Sequence, residues 1–290
     1  MNYRHAYHAG NHADILKHAV MARAIVHLKK KEKPVLFLDA HAGIGTYALE
    51  SSEALKTLEW QDGLGCLYAL SGETLPLNAK AEELLEPWRQ VVESVNRPGH
   101  SLTHYPGSPE LARRMLRAND RLILNELHPL DHDALVAFAA KDERIRVTAQ
   151  DANTAIKANL PPTERRGLIL IDPPYERDDE ARRAIKTLRD GLRRFATGIF
   201  VLWYPVTGDG LSERIVADLA ALAVPKTLVA EMRVRATVPA GGLAGSGLII
   251  INPPWPIEAE LPVLVRALCE RLAQTNEARW RVEWLTAEKL

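Results

Sequence analysis

The sequence has few cysteines, no excess of charge of either sign and no long apolar run. Its 290 residues include only Cys66 and Cys269, which are far apart, so two reduced thiols are expected rather than a disulfide framework. No stretch approaches the roughly 18 to 20 apolar residues needed to cross a bilayer, and the N-terminus lacks the apolar core of a secretory signal. These absences predict a cytoplasmic protein with no membrane partner.

The charges of the chain balance. Lysine and arginine number 37, as do aspartate and glutamate, so no global positive field indicates a nucleic-acid partner. Such a partner would have to meet a local patch, and the first 33 residues offer one. A solvated helix end is the alternative for its last part. The basic residues of the patch are Arg4, Lys17, Arg23, Lys29, Lys30, Lys31 and Lys33.

Short apolar runs rich in β-branched or aromatic residues alternate with helix-like segments. Seven runs end in polar, glycine or proline residues, which indicates seven strands. The pattern predicts an α/β fold with a Rossmann-like, doubly wound sheet, and helices over 130–140, 178–194 and 211–222. The runs are VLFLDA (35–40), RLILNE (121–126), RVTAQDA (146–152), GLILIDPPY (167–175), GIFVLWYP (198–205), TLVAEMRV (227–234) and GLIIINPPW (247–255).

The stretch from 51 to 105 interrupts this alternation. Its segment AKAEELLEPWRQVVESVNRPG is typical of an amphipathic helix ended by Pro98-Gly99. The first two strands are therefore separated by far more chain than a simple βαβ unit needs. We predict a small helical insertion subdomain at 51–105, within a main domain formed by 1–50 and 106–290.

The segment LDAHAGIGTY places Gly43 and Gly45 after a strand that ends at Asp39, before a presumed helix. Glycines there let the backbone approach a nucleotide-like ligand at the carboxyl edge of the sheet. The three-glycine dinucleotide spacing is absent, and so is a Lys followed by Ser or Thr to cradle phosphate. A cofactor without phosphate, such as S-adenosylmethionine (AdoMet), fits this turn best.

Acidic residues stand at the ends of the second and third strands. Glu126 in LILNELHP can accept hydrogen bonds from both ribose hydroxyls of a nucleoside, and Asp151 can bind an adenine amino group. A capping or solvated acid is the alternative for each. Together they form the pattern that a nucleoside crevice requires.

The sequence Asp172-Pro173-Pro174-Tyr175 directly follows the apolar strand GLILI. Two prolines fix an extended loop and remove two N–H donors, which leaves carbonyls as acceptors. Adenine N6 is a poor nucleophile, so a site that methylates it must accept its hydrogens and hold the nitrogen in line. We predict Asp172 and the Pro173 carbonyl as acceptors and Tyr175 as the ring that stacks on the flipped base. The alternative is a strand-end turn with a buried tyrosine.

A second loop of similar appearance, Asn252-Pro253-Pro254-Trp255, follows the last strand of the series. We interpret it as structural, because the catalytic loop should follow the fourth strand beside the cofactor crevice.

The N-terminus is dense in histidine, which raises a metal site as an alternative. The spacing matches no familiar tetrahedral pattern and no cysteine is near, so we expect no metal but contacts to cofactor or RNA phosphate. Tyr3, Arg4 and Lys17 would contribute to that surface. The histidines are His5, His8, His12 and His18, with His41 beside the glycine turn.

These motifs together resemble a bacterial family, the 23S ribosomal RNA adenine-N6 methyltransferases lettered J. The resemblance covers nearly the whole chain, and the N-terminal block narrows the choice because general adenine methyltransferases share only the glycine turn and the Asp-Pro-Pro-Tyr loop. The motifs that carry it are YRHAYHAGNHADILKH, LDAHAGIGTY, YPGSP, NELHP, RRGLILIDPPYE, RFATGIFVLWYP and SGLIIINPPW.

The resemblance implies an AdoMet-dependent methyltransferase fold, a target adenine at position 2030 of 23S rRNA that is free of protein or in early assembly, and a monomer without an obligate protein partner. It implies that Asp172 accepts the proton and that Tyr3 contacts the RNA. Where the family has Asp-Gly after the third strand, this chain has Asp151-Ala152, which can alter the approach of the backbone to the cofactor adenine. The residues implied to contact AdoMet are His18, His41, Ser108, Glu126, Asp151, Ala152 and Asp172.

Three other functions fit parts of the sequence. A DNA adenine-N6 methyltransferase would share the site chemistry, but no domain beyond the insertion is large enough to read a DNA sequence. A non-catalytic nucleic-acid-binding or DNA-uptake accessory protein would have no need of the acceptor loop. Methylation of a protein glutamine favours Asn rather than Asp at the first position of that loop.

Overall fold

A central eight-stranded sheet organises the computed structural model, which describes residues 4–69, 71–97, 100–237 and 242–287. The strand order is β10-β8-β9-β7-β6-β1-β4-β5, and β2 and β3 form a separate two-stranded sheet. The strands are β1 (Leu36–Asp39), β2 (Thr46–Ala48), β3 (His104–Pro106), β4 (Arg121–Asn125), β5 (Ile145–Thr148), β6 (Gly167–Ile171), β7 (Ile199–Val206), β8 (Thr227–Arg233), β9 (Gly245–Ile251) and β10 (Arg279–Thr286).

Nine α-helices are found among the described residues. They are α1 (His12–Leu28), α2 (Ala54–Thr57), α3 (Ala79–Ser94), α4 (Ser108–Met115), α5 (Pro129–Ala139), α6 (Ala152–Asn159), α7 (Glu180–Arg194), α8 (Leu211–Ala221) and α9 (Ile257–Leu272), with 3-10 turns at His5–Tyr7 and Leu64–Cys66. The three helices expected from the sequence are confirmed as α5, α7 and α8. Within the described ranges, no helix is both long and apolar enough to span a bilayer.

Five parallel strands, β5, β4, β1, β6 and β7, form the part of the sheet that carries the predicted motifs. The chain leaves β1 for β4 on one side and later returns to β6 on the other, so the strand order reverses at β1. In doubly wound sheets, ligands bind at this reversal, beyond the carboxyl ends of the strands. The Rossmann-like α/β prediction is confirmed.

Both faces of the sheet are covered, which explains the unbroken apolar runs. One buried cluster includes residues of α1, α3, α4, α5 and α9, and the other includes residues of α6, α7 and α8. Helix α1 is buried along almost its whole length. Asn11 caps its start, because the Asn11 side chain accepts hydrogen bonds from the Ala13 and Asp14 amides. This capping fixes the start of a helix that leads directly under the site.

The structure differs from the sequence prediction at two points. An eighth main-sheet strand, β10, was missed because RWRVEWLT mixes charged and aromatic residues, as an edge strand paired only with β8 can. The presumed helix after the glycine turn was wrong, since the chain there forms β2 and pairs with β3. The free thiols are confirmed, with Cys66 half-buried and Cys269 buried.

The segment from 51 to 105 contains α2, the turn at Leu64–Cys66 and α3. The predicted amphipathic helix is confirmed as α3, while Pro98-Gly99 lies outside the described residues. Trp88 of α3 is fully buried in the same cluster as α1 and α9. The Arg89 guanidinium donates to the Leu67 and Leu75 carbonyls, so the helix is tied to the loop that precedes it.

The Asn-Pro-Pro-Trp loop lies at the opposite edge of the sheet from the Asp-Pro-Pro-Tyr loop. Strand β9 runs antiparallel to β7, so Ile251 at its end pairs with Phe200 at the start of β7. The Asn252 amide donates to the Ala196 and Gly198 carbonyls, and Trp255 is 87% exposed. The loop therefore has the structural role that we expected.

Candidate active site

A cleft of about 650 Å³ opens at the carboxyl ends of β1, β4, β5 and β6, where the strand order reverses. Most of the predicted site residues meet there although they come from distant parts of the sequence. Those that line it are Lys17, His18, His41, Gly43, Ser108, Glu126, Asp151, Ala152, Asp172 and Pro173.

The glycine turn brings backbone to the wall of the cleft. Gly43 and Gly45 have φ of 63° and 89°, a conformation that favours glycine. A Cβ on Gly43 would lie 2.0 Å from the Tyr47 hydroxyl, so no side chain fits. Its N–H donates to Glu126 Oε2 at 2.9 Å, which joins the turn after β1 to the loop after β4.

Glu126 is held by two backbone amides. Besides the Gly43 bond, its Oε1 accepts from the His128 N–H at 2.8 Å, and the residue is 8% exposed. Burial raises the pKa of this carboxyl, while the two amides stabilise its charged form. Each carboxylate oxygen retains a lone pair, so a ribose with two hydroxyls can be held at this point.

A buried aspartate that the sequence analysis did not assign supports the next wall. Asp39, at the end of β1, accepts hydrogen bonds from the Ser108 hydroxyl at 2.6 Å and from the His41 N–H at 3.1 Å. Burial raises the pKa of Asp39 to about 7. Asp39 thus positions two predicted cofactor contacts, Ser108 and His41, from behind the cleft.

Asn125 fixes the floor of the cleft. Its side-chain amide donates to the Ala40 and Gln150 carbonyls, and its Oδ1 accepts from the Thr148 hydroxyl and the Gln150 N–H. One side chain therefore ties together the ends of β1, β4 and β5. The sequence signal was a single asparagine within an apolar strand.

Asp151 is a capping acid, the alternative that the sequence raised, and it also lies at the cleft where it could meet a ligand. It caps α6 by accepting from the Asn153 and Thr154 amides, and its Oδ2 accepts from the Arg183 guanidinium at 2.6 Å. The carboxylate nevertheless lines the cleft beside Ala152. A ligand amino group would compete with Arg183 for Oδ2.

The loop predicted to be catalytic begins where β6 ends. The Asp172 N–H donates to His41 Nδ1 at 3.2 Å, so the proton of a neutral His41 ring is on Nε2. Burial lowers the pKa of His41 to about 4, which keeps the ring neutral near pH 7. His41 is thereby fixed between the glycine turn and the catalytic loop.

The Asp172 side chain is paired with Lys17, which reaches it from α1. The same ammonium lies 2.9 Å from Asp14 Oδ1, and Lys17 and Asp14 are both buried. The two carboxylates raise the pKa of Lys17 against the effect of burial. Asp14 also accepts from the Gly10 N–H and pairs with His5, and its pKa is well below the usual range because His5 and Lys17 are close.

His18 lies one residue further along α1 and is almost fully buried. Its ring stacks on Tyr105 with centroids 5.5 Å apart, and Nδ1 is 2.7 Å from the tyrosine hydroxyl. Burial lowers the pKa of His18 to about 3. Its Nε2 has no hydrogen-bond partner among the described residues, and the nearest carboxylate oxygen, of Asp14, is 3.9 Å away.

Tyr175 is not among the residues that line the cleft. Its φ of 53° turns the half-buried ring toward Trp203, where the rings meet edge to face at 5.6 Å and the hydroxyl donates to the Trp203 carbonyl at 2.7 Å. The structure is therefore closer to the alternative, a strand-end turn whose tyrosine is partly buried, and the anchored hydroxyl fixes the plane of the ring.

The N-terminal basic patch does not exist as one surface. Lys17 is buried at the catalytic loop, Arg23 is paired with Glu260, and Arg4 is paired with Glu53 and Asp131. Of the basic residues in this patch, only lysines that follow the end of α1 are exposed, which agrees with the alternative of a solvated helix end. Tyr3 lies outside the described residues. The patch was wrong because sequence proximity does not show which helical positions face the interior.

Comparisons with known proteins show which family the chain resembles. The family model "Ribosomal RNA large subunit methyltransferase D, RlmJ" matches residues 32–286. The chain is 42% identical over 288 residues to "Ribosomal RNA large subunit methyltransferase J" of Escherichia coli (strain K12) and 39% identical over 288 residues to the protein of the same name from Haemophilus influenzae. Each alignment covers 99% of this chain and 100% of the relative.

A solved structure extends the likeness to three dimensions. The crystal structure of protein LPL1258 from Legionella pneumophila str. Philadelphia 1 superposes with a TM-score of 0.84 at 31% identity, covering 95% of this chain and 98% of that one. The methyltransferase fold and AdoMet as methyl donor, both expected from the sequence, are confirmed. The chain belongs to the RlmJ family of ribosomal RNA large subunit methyltransferases.

Proposed function

We propose that this protein methylates the exocyclic N6 of a single adenine in 23S rRNA. The observation that carries the proposal is the position of Asp172 and Pro173, which line the same cleft as the ribose-binding candidate Glu126. An acceptor pair beside a nucleoside site suits an amine substrate whose two hydrogens must both be held.

The cleft residues fit AdoMet. Glu126 offers two oriented oxygens to ribose hydroxyls, His18 Nε2 is a buried ring nitrogen that still lacks a hydrogen-bond partner among the described residues, and the glycine turn places the Gly43 backbone in the wall of the cleft. AdoMet supplies an electrophilic methyl group when it is bound. Ser108, Asp151 and Ala152 complete the set of residues proposed to hold it.

Asp172 would accept one N6 hydrogen and the Pro173 carbonyl the other. Lys17 stabilises the negative charge of Asp172, and an ionised carboxylate only accepts hydrogen bonds, which matches an amine that donates two. As the nitrogen gains its methyl group it becomes acidic, and Asp172 takes the proton that it releases. Lys17 would therefore act on the reaction centre rather than on backbone phosphates of the RNA.

Tyr175 would stack on the target base from the position in which the structure holds it. Its hydroxyl is anchored at Trp203 and the residue is only half-buried, so stacking would use the part of the ring that stays exposed. A fixed ring loses little freedom when the base arrives. Tyr3 and Arg4 would bind neighbouring parts of the RNA.

The target implied by family resemblance, adenine 2030, is part of this proposal, as are the cytoplasmic location and the monomeric state. The cleft itself does not distinguish RNA from DNA, because its residues address a flipped base. The substrate must therefore be identified by experiment.

The test is transfer of labelled methyl from AdoMet to protein-free 23S rRNA transcript, with digestion to nucleosides, beside a duplex DNA rich in adenine. N6-methyladenosine from the RNA and none from the DNA is the expected result. Label in the DNA would favour the DNA methyltransferase, and no label in either nucleic acid from folded, AdoMet-binding protein would favour the accessory role.

A further inference from the structure

The exposed face of α7 carries an uninterrupted stripe of cations. Arg182, Lys186, Arg189 and Arg193 follow one another at steps of four, three and four residues, and all four are exposed. At about 100° of rotation per residue they fall within an arc of roughly 60°. They therefore form one straight row along the helix.

The opposite side of α7 is its packed side. Ala184, Thr187, Leu188 and Gly191 are buried, and the first and third of these belong to the cluster beneath the sheet. The cation row is centred on the direction that points away from them. It faces solvent rather than another part of the protein.

The row is poorly neutralised. Asp190 lies at its flank, 3.1 Å from Lys186 and 3.9 Å from Arg193. Arg182 and Arg189 make no hydrogen bond or ion pair with any residue that the structure describes. Two of the four cations thus have no partner within the described part of the chain.

Such an arrangement disfavours the isolated helix. Cations three or four residues apart repel one another, and a merely solvated helix face usually alternates in sign. A row of one sign is instead the electrostatic footprint of a surface that meets a polyanion.

The row borders the active-site cleft through Lys186. Helix α7 follows the catalytic loop, and Arg177, Arg183 and Lys186 line the cleft. From Arg182 to Arg193 the helix rises by about 16 Å, which leads away from the cleft mouth. A chain of phosphates attached to a base inside the cleft would pass over this helix.

We propose that the exposed face of α7 binds the phosphate backbone of the RNA strand adjacent to the target nucleotide, with Arg182, Lys186, Arg189 and Arg193 as the phosphate contacts. This inference rests on the proposed RNA substrate. The contacts carry no sequence information; they hold the strand so that the target base lies over the cleft.

The test compares two double variants by equilibrium binding to protein-free 23S rRNA transcript over a range of salt concentrations. Arg182→Gln with Arg189→Gln removes the two unpaired cations of the row. Lys30→Gln with Lys31→Gln is the matched control, because it removes the same charge from an exposed site at the end of α1. AdoMet affinity of each protein is measured to show that the fold is intact.

The α7 variant is expected to bind RNA on the order of ten-fold more weakly, with a slope of log affinity against log salt that is smaller by roughly 1.4 to 1.8, since each lost contact contributes about 0.7 to 0.9. The control keeps the native slope. An unchanged slope in the α7 variant, or an equal loss in both variants, would overturn the proposal. If the native protein methylates the transcript but either of these two results is found, the proposed function stands and only the role of α7 fails.

Discussion

Single residues in this site act through buried partners. Lys17 joins Asp14 to Asp172, so Lys17→Met would leave the buried Asp14 and the partly buried Asp172 without their shared cation. We expect methyl transfer to fall about 100-fold, the magnitude typical of losing one electrostatic contact in an active site, with AdoMet affinity nearly retained. Single-turnover transfer measures this, with exposed Lys30→Met as the control. A native rate in Lys17→Met would show that the ion pair has no part in the reaction.

The anchored ring of Tyr175 leads to a second prediction at the residue scale. Tyr175→Ala removes a stacking contact of about 1 to 3 kcal/mol, so kcat/KM for RNA should fall by roughly 5- to 150-fold. Tyr175→Phe keeps the ring and loses only the hydrogen bond to Trp203, so its loss should be smaller. Equal losses in the two variants would indicate that the hydroxyl, rather than the stacking face, is what matters.

Among the elements, α1 lies beneath the site. It carries Lys17 and His18, and Asn11 caps its start. Asn11→Ala should lower the free energy of unfolding by about 1 kcal/mol and also slow methyl transfer, since the start of α1 loosens. The matched control is Asn78→Ala, which removes the cap of α3. It should cost similar stability in urea unfolding without slowing transfer. Equal kinetic effects would contradict a special role for α1.

How far the sequence predicted the structure also differs among elements. The sequence correctly predicted that Glu126, Asp151 and Asp172 lie at one edge of the sheet. Each of these acids follows the end of a strand, and that signal depends only on the local sequence pattern. The pairing of Lys17 with Asp172 spans 155 positions, and no local pattern reveals it. Strand β10 was missed for a different reason. It is a half-exposed edge strand, so its sequence lacks the continuous apolar run that predicts a buried strand.

For the whole molecule, buried neutral histidines predict acid sensitivity. The pKa of His12 and His41 is lowered to about 4 and that of His18 to about 3, all by burial. The unfolded chain binds these protons below about pH 6.5 and the folded chain does not, so stability falls as the pH decreases from there. The pKa of Asp39 is raised to about 7, so this group increases stability as the pH decreases. It is one group against three histidines.

Urea unfolding at about pH 7 and about pH 5 measures this dependence, at about 1.4 kcal/mol per pH unit for each net proton. His12→Asn lies outside the cleft lining and should reduce the slope. A free energy of unfolding that does not fall toward pH 5 would show that these rings are not held neutral.

Asp172 is proposed to act at the reaction centre of an adenine-N6 methyltransferase. The most direct measurement is single-turnover methyl transfer to 23S rRNA transcript by native protein and by Asp172→Ala, both saturated with AdoMet and RNA, with the product identified as a nucleoside. Loss of N6-methyladenosine formation by on the order of 10²- to 10⁴-fold, with AdoMet still bound, is the predicted result. N6-methyladenosine made by Asp172→Ala at a rate near that of the native protein would show that Asp172 does not act at the reaction centre.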